Sequence, residues 1–291
     1  MKFVLLASWF LLAASSAFGE WWDSVYDWRS AKTVAPGIIR AEWKVKSPRI
    51  LRIFALRIDL RTPGLRFHVT RKAPGYGRPM PDAPDFIIRT RRETTRAFLD
   101  GLCKQRIPMA AAFNAAPWSP WRKPFDHRYA DRMGLLISDG DVILPPDGGR
   151  PSFLITRDGR AEITVVPAGA DTKRILHAVS GFAIVLRDGK VVTSIDHDAL
   201  APRTGFGLSA DRRYLYVFVA DGRQEKYSMG TTHREVGNVL RFLGAHTGIN
   251  MDGGGSSTLL IRRGGKSVML NRQPGGGERT VGASVGVSVG H

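Results

Sequence analysis

The stretch NMDGGGSST, residues 250–258, combines a carboxylate, three consecutive glycines and three hydroxyl side chains. Glycine has no Cβ, so its backbone reaches conformations closed to other residues and no side chain blocks a ligand. The apolar run at 259–261 that follows predicts a strand. A bare turn between the Asp252 carboxylate and a strand suits a polar, anionic ligand. The alternative is a tight hairpin turn without a ligand, a common meaning of glycine in a strand pattern.

The residues around this stretch predict a single α+β domain. Apolar residues alternate between 40 and 70, which is typical of antiparallel strands. Residues 71–88 hold four prolines and two glycines, which predicts a loop. Helices are expected at 93–105 and 232–243, and a closing strand at 281–289. We therefore expect a mixed, largely antiparallel sheet with few helices.

The composition is that of a globular protein with a large excess of positive charge. Lys and Arg number 43 against 26 Asp and Glu, which gives a formal net charge of +17. Such a surface attracts polyanions, among them nucleic acid, anionic lipid and phosphorylated glycans. No zinc-finger spacing or aromatic RNA-binding signature supports specific nucleic-acid recognition. The single cysteine, Cys103, excludes an internal disulfide, and we expect it to be a packed thiol.

Residues 1–19 have the pattern of a secretory signal peptide. Lys2 is followed by an apolar run and then by small residues before Glu20. The run is too short to span a bilayer by itself, and no second segment is long enough to do so. We expect residues 20–291 to form one exported domain, periplasmic or extracellular, with no transmembrane helix in the mature chain. An uncleaved anchor is the alternative.

Several polar side chains stand at the ends of predicted elements and are candidates for chemistry. They are Asn114, Arg203 with Thr204, Asp221, Glu235 and Arg279. Each has a plainer alternative. An Asp-Gly pair is usually just a turn, and Glu235 could complete a helix cap with Thr231 or Thr232. An exposed Arg203 could pair with a surface carboxylate, which contributes little.

Short motifs also follow one another in a fixed order along the chain. They are VAPG at 34–37, FN at 113–114, SDG at 138–140, SGF at 180–182, PRT at 202–204, DGR at 221–223, NMDGGGSST at 250–258 and Arg279 before the last strand. This order resembles the phosphodiester glycosidase family over roughly residues 34–290. The Arg-Thr and Asn-x-Asp-Gly-Gly-Gly-Ser motifs are its most specific parts. The chain departs from the family after Asn114, where Ala-Ala-Pro-Trp replaces glycine and paired aromatics, and it lacks the disulfides of the animal enzyme.

The resemblance implies a secreted or periplasmic glycosidase, a hydrolase that cleaves sugar-1-phosphodiesters in an envelope or extracellular glycan. Such a site needs a carboxylate as base or nucleophile and cations for the phosphate. The catalytic candidates are Asp252, Glu235 and Asp221, with Asp252 and Glu235 as the expected pair. The substrate-binding candidates are Asn114, Arg203 as phosphate clamp, Thr204, Asn250, Gly253, Gly254, Gly255, Ser256 and Arg279. Arg223 is a further cation, and the glycine amides with the Ser256 hydroxyl would complete the cradle.

Two other functions stay open at this point. A noncatalytic exopolysaccharide-binding or assembly protein would keep the fold and use its basic surface. A nonspecific polyanion binder would lose affinity for every ligand as salt rises. No cofactor is expected, although a divalent cation is an alternative: DH at 126–127 and DHD at 196–198 lack known metal spacings, but hard cations use scattered oxygens. Trp118 and Trp121 offer surfaces on which sugar rings could stack.

Overall fold

A computed structural model of the chain describes residues 27–47, 49–122, 125–131, 133–194 and 199–290. The signal pattern at 1–19 and the DHD stretch at 196–198 lie outside the described residues. Among the residues that are described, no helix has both the length and the apolar character needed to cross a membrane.

The described residues fold into many short strands and two α-helices. The first half contains β1 Lys32–Ala35, β2 Ile38–Val45, β3 Leu51–Asp59, β4 Leu65–Val69, β5 Pro79–Met80, β6 Ala83–Ile87, β7 Thr90–Arg91, α1 Thr95–Lys104, β8 Met109–Asn114, β9 Tyr129–Ala130, β10 Leu136–Ser138 and β11 Asp141–Leu144. The second half contains β12 Pro151–Thr156, β13 Ala161–Val165, β14 Ile175–Ser180, β15 Ala183–Arg187, β16 Lys190–Val191, β17 Arg203–Leu208, β18 Tyr214–Ala220, α2 His233–Leu243, β19 Thr247–Asn250, β20 Leu259–Arg263, β21 Lys266–Met269 and β22 Ser284–Val289.

Three larger sheets carry the fold. The first has eight strands in the order β1-β2-β3-β18-β17-β19-β15-β16. The second has the order β21-β20-β8-β22-β4, and the third has the order β11-β10-β14-β12-β13. Neighbouring strands pair antiparallel, as in β17 with β18 and with β19. The predicted α+β domain with few helices and largely antiparallel sheets is therefore confirmed.

The core lies where the three sheets face one another. Phe206 of the eight-stranded sheet contacts Phe113 of the second sheet, with ring centroids 5.1 Å apart. It also contacts Phe153 of the third sheet at 5.7 Å. All three rings are almost fully buried, and burying a ring of this size removes a large apolar area from water. These contacts fix the position of β17 relative to the other two sheets.

Each helix covers the outer face of a sheet. α2 packs Val236 and Leu240 against the eight-stranded sheet, on the face opposite the core. α1 packs Phe98 and Leu99 against the second sheet, and Cys103 lies half-buried beside them, as expected for a packed thiol. Both helices lie within the segments predicted from the sequence.

The segment predicted as a loop at 71–88 contains more structure than expected. β5 and β6 form a two-stranded antiparallel sheet there, with a register shift between Pro79 and Met80. Met80 and Ile88 of this segment bury their side chains in a small separate cluster. Proline is tolerated at a sheet edge because its missing N–H is not needed for pairing there. The proline content therefore indicated an edge hairpin rather than an irregular loop.

Candidate active site

The glycine-rich turn joins two different sheets. It follows β19 of the eight-stranded sheet and leads into β20 of the second sheet, so it is not a hairpin turn. Gly254–Ser256 forms a single turn of 3-10 helix, and Gly254 has φ +61°. Glycine adopts this left-handed conformation without the steric cost that a Cβ brings. The Asp252 amide donates to Ala115 O at 2.9 Å, which attaches the turn to the end of β8.

Asn114 and Thr204 hold the turn from beneath. Asn114 Nδ2 donates to Asp252 O at 2.7 Å, and Asn114 Oδ1 accepts from Thr204 Oγ1 and Thr258 N, both at 2.9 Å. Both side chains are completely buried. A buried amide whose bonds all go to the fold fixes geometry. The structure therefore places these two predicted substrate-binding residues in the support of the turn and not on the pocket wall.

Two arginines lie directly against the glycines of the turn. A Cβ on Gly255 would lie 2.6 Å from Arg279 Cζ, which is too close for any real side chain. A Cβ on Gly254 would lie 3.1 Å from Arg223 Nη1. The amides of Gly253 and Gly254 already donate to Asp252 Oδ1 and Pro202 O. The amides of Gly253 and Gly254 are therefore used within the fold, and Gly254 and Gly255 leave room for the two guanidinium groups.

An open pocket of about 370 Å³ lies above the turn. Its volume falls in the range of small-molecule sites. The lining residues are Pro117, Trp118, Trp121, Met133, Phe182, Arg203, Arg223, Asp252, Gly253, Gly254 and Arg279. The pocket thus brings together Asp252, Arg203, Arg279 and two of the glycines that were predicted from widely separated motifs.

Asp252 is the one acid among the described residues that line this pocket. Its Oδ1 accepts from Gly253 N at 2.9 Å, and its Oδ2 is buried without a hydrogen-bond partner among the described residues. Burial raises the pKa of Asp252 to about 6, although the nearby Ser256 hydroxyl and the charge of Arg279 oppose that shift. A carboxylate with one unsatisfied oxygen can accept a further proton or hydrogen bond.

The three arginines of the pocket form no ion pair with an acid among the described residues. The described ion pairs involve other arginines, and none joins Arg203, Arg223 or Arg279 to a carboxylate within 4.0 Å in the described part of the chain. Arg203 Nε donates to Thr231 O at 3.2 Å. Burial, and then the charge of Arg223, lower the pKa of Arg203 to about 10. Guanidinium groups held this way form a site for an oxyanion such as phosphate.

Aromatic side chains form part of the rim. Trp121 is 55% exposed and Phe182 is 43% exposed. Arg279 lies over the Trp121 ring, 5.3 Å from its centroid. Trp118 is buried against Trp121, with centroids 5.0 Å apart. Trp121 thus keeps an open surface next to the arginines, as expected for a ring that stacks on a ligand.

Asp221, a catalytic candidate, has a different environment from Asp252. It is fully buried and is not among the residues that line the pocket. The Arg272 amide donates to its two oxygens at 3.0 and 2.9 Å, and Asn271 Nδ2 donates to Oδ1 at 3.2 Å. Burial raises its pKa to about 6 despite these bonds. Asp221 therefore ties the end of β18 to the segment after β21.

Glu235 also lies outside the set of pocket-lining residues. It forms a capping box with Thr232 at the start of α2, and its Oε2 accepts from Arg49 Nη2. The structure therefore shows the alternative that the sequence left open for Glu235, a helix cap formed with Thr232. Arg203 bonds to the carbonyl of Thr231, the residue just before this cap. Glu235 supports the backbone that holds Arg203, and the structure does not place it in the pocket with Asp252.

Two further candidates are buried polar residues of the turn region. Asn250 is 1% exposed, and neither polar atom of its side chain has a partner among the described residues. Ser256 is fully buried beside Asp252, and its hydroxyl also has no partner of normal geometry there. Neither residue lines the pocket.

The sequence motifs missed several residues of the pocket. Met133 lines it from a loop that no motif covers, and Phe182 lines it as part of the SGF motif, although no site role was predicted for it. Arg223 was recognised only as an additional cation, and its φ of +57° within an Asp-Gly-Arg bend is what turns it toward the glycines. Trp118 and Trp121 were recognised as stacking surfaces and do line the pocket.

Volume alone does not distinguish the pocket above the glycine turn from other cavities of the protein. A cavity of about 430 Å³ lies near the other end of β17 and includes Glu162, Arg212 and His246. Both of its acids have charged or titratable neighbours: Glu162 pairs with Arg174 at 3.0 Å, and Asp188 Oδ1 lies 3.9 Å from His246 Nδ1. Partnered charges of this kind are common on protein surfaces and contribute little. The pocket above the glycine turn differs because its charges face open space.

A metal centre finds no support among the described residues. No group of three or more His, Cys, Asp or Glu side chains there could hold an ion. His127 of the DH pair lies with Nδ1 2.8 Å from Asp82 Oδ2, which is a two-residue contact. The DHD stretch at 196–198 lies outside the described residues.

Comparison with known proteins identifies a matching family and proteins of similar fold. The sequence profile described as phosphodiester glycosidase matches residues 122–288. No curated protein sequence matches the chain significantly. The solved catalytic domain of zebrafish N-acetylglucosamine-1-phosphodiester alpha-N-acetylglucosaminidase, auto-inhibited by its pro-peptide, superposes with a TM-score of 0.62 at 18% identity, over 89% of this chain and 85% of that chain.

Two bacterial structures are similar as well. A hypothetical protein from Synechocystis has a TM-score of 0.58 at 13% identity, over 87% of this chain and 62% of that chain. A Burkholderia pseudomallei protein inferred to be exported has a TM-score of 0.57 at 15% identity, over 82% and 74% of the two chains. At these identities the similarity shows a shared fold.

Proposed function

The chain belongs to the phosphodiester glycosidase family, and we propose that its pocket hydrolyses the bond between the anomeric carbon of a sugar and a phosphodiester oxygen. The proposed substrate is a phosphorylated or anionic glycan of the cell envelope or extracellular space. One observation carries the proposal: a single pocket is lined by a carboxylate whose Oδ2 has no hydrogen-bond partner of normal geometry among the described residues, and by three arginines that form no ion pair with an acid there.

Asp252 is the proposed catalytic residue. A general base works best when its pKa lies near the working pH, and burial has moved the pKa of Asp252 to about 6. Its free Oδ2 is the atom that would accept a proton from water as that water attacks the anomeric carbon. Asn114 fixes the Asp252 carbonyl from below, so the carboxylate is held in place before substrate binds.

The arginines are proposed to bind the phosphate. Arg203 and Arg279 approach the glycine turn from different elements, and Arg223 comes from the bend after β18. Phosphate accepts paired hydrogen bonds from guanidinium groups, which fixes its orientation as well as its charge. The exposed face of Trp121 next to Arg279 is a suitable surface for a sugar ring.

Export is part of the proposal. It rests on the signal-like pattern at 1–19 and on the similarity to a Burkholderia pseudomallei protein inferred to be exported. The proposed location, periplasmic or extracellular, matches a substrate in the envelope or outside the cell.

The proposal is tested by incubating the protein with a panel of alpha- and beta-linked methyl sugar-1-phosphodiesters and measuring release of reducing sugar. We expect turnover of at least one member. Asp252→Asn should lower kcat by about 10³-fold, because the base is lost while the shape is kept. Glu235→Gln should keep kcat within about tenfold of wild type, because Glu235 acts through a helix cap.

Near-normal activity of the Asp252→Asn variant would show that Asp252 is not the catalytic base. An equally large loss in Glu235→Gln, with the fold intact by circular dichroism, would restore the predicted Asp252–Glu235 pair. Tight binding of the diesters without any turnover would favour the noncatalytic glycan-binding alternative.

A further inference from the structure

The pocket contains more positive charge than a phosphodiester can neutralise. Arg203 reaches it from β17, Arg223 from the bend after β18 and Arg279 from the segment before β22, while Asp252 is the one acid among the described lining residues. Arg92 adds a buried cation behind the pocket wall, 3.9 Å from the Trp118 ring centroid. At neutral pH the lining side chains carry a net charge of about +2 when all four are ionised. A phosphodiester carries one negative charge.

The fold holds these cations close together. Arg223 is near enough to Arg203 to lower its pKa, after the larger effect of burial. Arg279 similarly lowers the pKa of Arg92. Like charges at short range in a partly desolvated pocket repel each other strongly. An anion of higher charge than a diester would relieve more of this repulsion.

The proposed reaction produces such an anion. As the bond between the anomeric carbon and the phosphate oxygen breaks, the bonding electron pair stays on that oxygen, and the diester monoanion becomes a phosphomonoester dianion. Water supplies the new oxygen on the sugar carbon, and its proton leaves through Asp252 to solvent. Negative charge next to the arginines therefore grows from one to two during the reaction, and groups that bind the final charge better also lower the barrier.

We propose that the cluster of Arg203, Arg223 and Arg279 is matched to the dianionic phosphomonoester rather than to the monoanionic diester. The arginines then stabilise the departing phosphate without a general acid, which fits a pocket in which Asp252 is the one described acid. The same match makes the phosphomonoester product bind more tightly than the substrate. A reaction that consumes phosphomonoesters, such as dephosphorylation, would relieve this product inhibition. The reaction direction rests on the proposed function, whereas the charge preference does not.

Calorimetric titration with methyl phosphate and dimethyl phosphate tests the charge preference without requiring the correct sugar. The Asp252→Asn variant is titrated beside wild type. In this variant Asp252 no longer changes its charge between pH 5 and pH 8, so a change in affinity over this range reports the charge of the phosphate. At pH 8 we expect methyl phosphate to bind about tenfold more tightly than dimethyl phosphate, or better. At pH 5 the ratio should approach one, since the second pKa of a phosphomonoester is about 6.

Two arginine variants test whether the preference for methyl phosphate arises in the pocket. Arg223→Gln should weaken methyl phosphate binding more than dimethyl phosphate binding. Arg272→Gln is the matched control, because Arg272 is exposed, stacks on Tyr227 and does not line the pocket. It should leave both affinities unchanged. Equal affinities for the two probes at pH 8, or an Arg272→Gln loss as large as that of Arg223→Gln, would overturn the inference.

The outcome separates this inference from the proposed function. Hydrolysis of a sugar phosphodiester with equal binding of the two probes would contradict the charge match and leave the function standing. A preference for methyl phosphate in a protein that hydrolyses no member of the panel would support the charge match and contradict the function.

Discussion

Asp221 and Asp252 are two buried aspartates with raised pKa values and different surroundings. Burial raises the pKa of each to about 6. Asp221 accepts hydrogen bonds at both oxygens, whereas Oδ2 of Asp252 has no partner among the described residues. A raised pKa alone therefore does not identify a catalytic acid, since structural carboxylates are perturbed by burial too. The free oxygen inside the pocket is what separates Asp252 from Asp221.

This difference predicts that Asp252→Asn stabilises the protein at pH 8. The folded pKa of about 6 lies above the unfolded value of 3.8, so ionisation of Asp252 costs stability as pH rises from about 4 to 6 and the full cost persists above 6. Removing the charge should raise the free energy of unfolding by on the order of 2 kcal/mol at pH 8. The gain should disappear near pH 4. Urea unfolding of wild type and variant at pH 8 and at pH 4 measures the gain and its disappearance.

Asp221→Asn is the matched control for this prediction. The Arg272 amide donates to both Asp221 oxygens, so the substitution leaves it one acceptor and places an NH₂ group against it at the other position. Removing the buried charge should stabilise Asp221→Asn as well, but the disturbed hydrogen bonds offset about 1–3 kcal/mol of that gain, so we expect a smaller stabilisation at pH 8 than in Asp252→Asn. An equal or larger gain in Asp221→Asn would contradict the assignment of Asp221 to the scaffold and Asp252 to the pocket.

At the scale of elements, the glycine turn acts as a connector between sheets. It leaves β19 in one sheet and enters β20 in another, and Asn114 of β8 fixes it through Asp252 and Thr258. Gly255 lies under the Arg279 guanidinium at a distance that leaves no room for a methyl group. The turn therefore sets the position of the arginine as well as that of the acid.

Gly255→Ala should impair substrate binding more than folding. The added Cβ would meet Arg279 Cζ at 2.6 Å, and the end of a flexible side chain can move away. We expect KM for the phosphodiester to rise by about tenfold, because a displaced guanidinium loses its paired bonds to phosphate. Steady-state kinetics give KM, and thermal unfolding should show little change.

Gly277→Ala provides the control within the same part of the chain. A Cβ at Gly277 would meet no heavy atom within 4 Å, and the residue is exposed. KM should stay at the wild-type value in this variant. If Gly255→Ala also left KM unchanged, Arg279 would not be a phosphate ligand held by the glycine turn.

At the scale of the whole molecule, local sequence patterns predicted individual elements better than the tertiary contacts between them. The helix at α2 and its cap at Thr232 follow from short-range signals, and the structure confirms both. The glycine turn was also recognised as a ligand site candidate from its own residues. Asn114 could not be assigned in the same way. Its partner Asp252 is 138 residues away, and only the packing of the sheets shows that Asn114 supports the turn from below.

The roles of the three acidic candidates also depend on residues that are distant in the sequence. Asp221, Glu235 and Asp252 all follow strand ends or turns in the sequence. Whether a carboxylate is satisfied depends on partners from distant segments: Arg272 for Asp221, and Arg49 for Glu235. The net charge of +17 alone does not indicate which arginines gather in one pocket, but the motifs named Arg203, Arg279 and Arg223, and all three line it.

The most direct test of the central claim is hydrolysis in water labelled with oxygen-18. The substrate is whichever sugar-1-phosphodiester of the panel turns over fastest, and mass spectrometry locates the label in the products. Attack at the anomeric carbon, assisted by Asp252, predicts the label in the sugar hydroxyl and none in the phosphate. Label in the phosphomonoester would mean cleavage of the phosphorus–oxygen bond and would contradict glycosidase chemistry in this pocket.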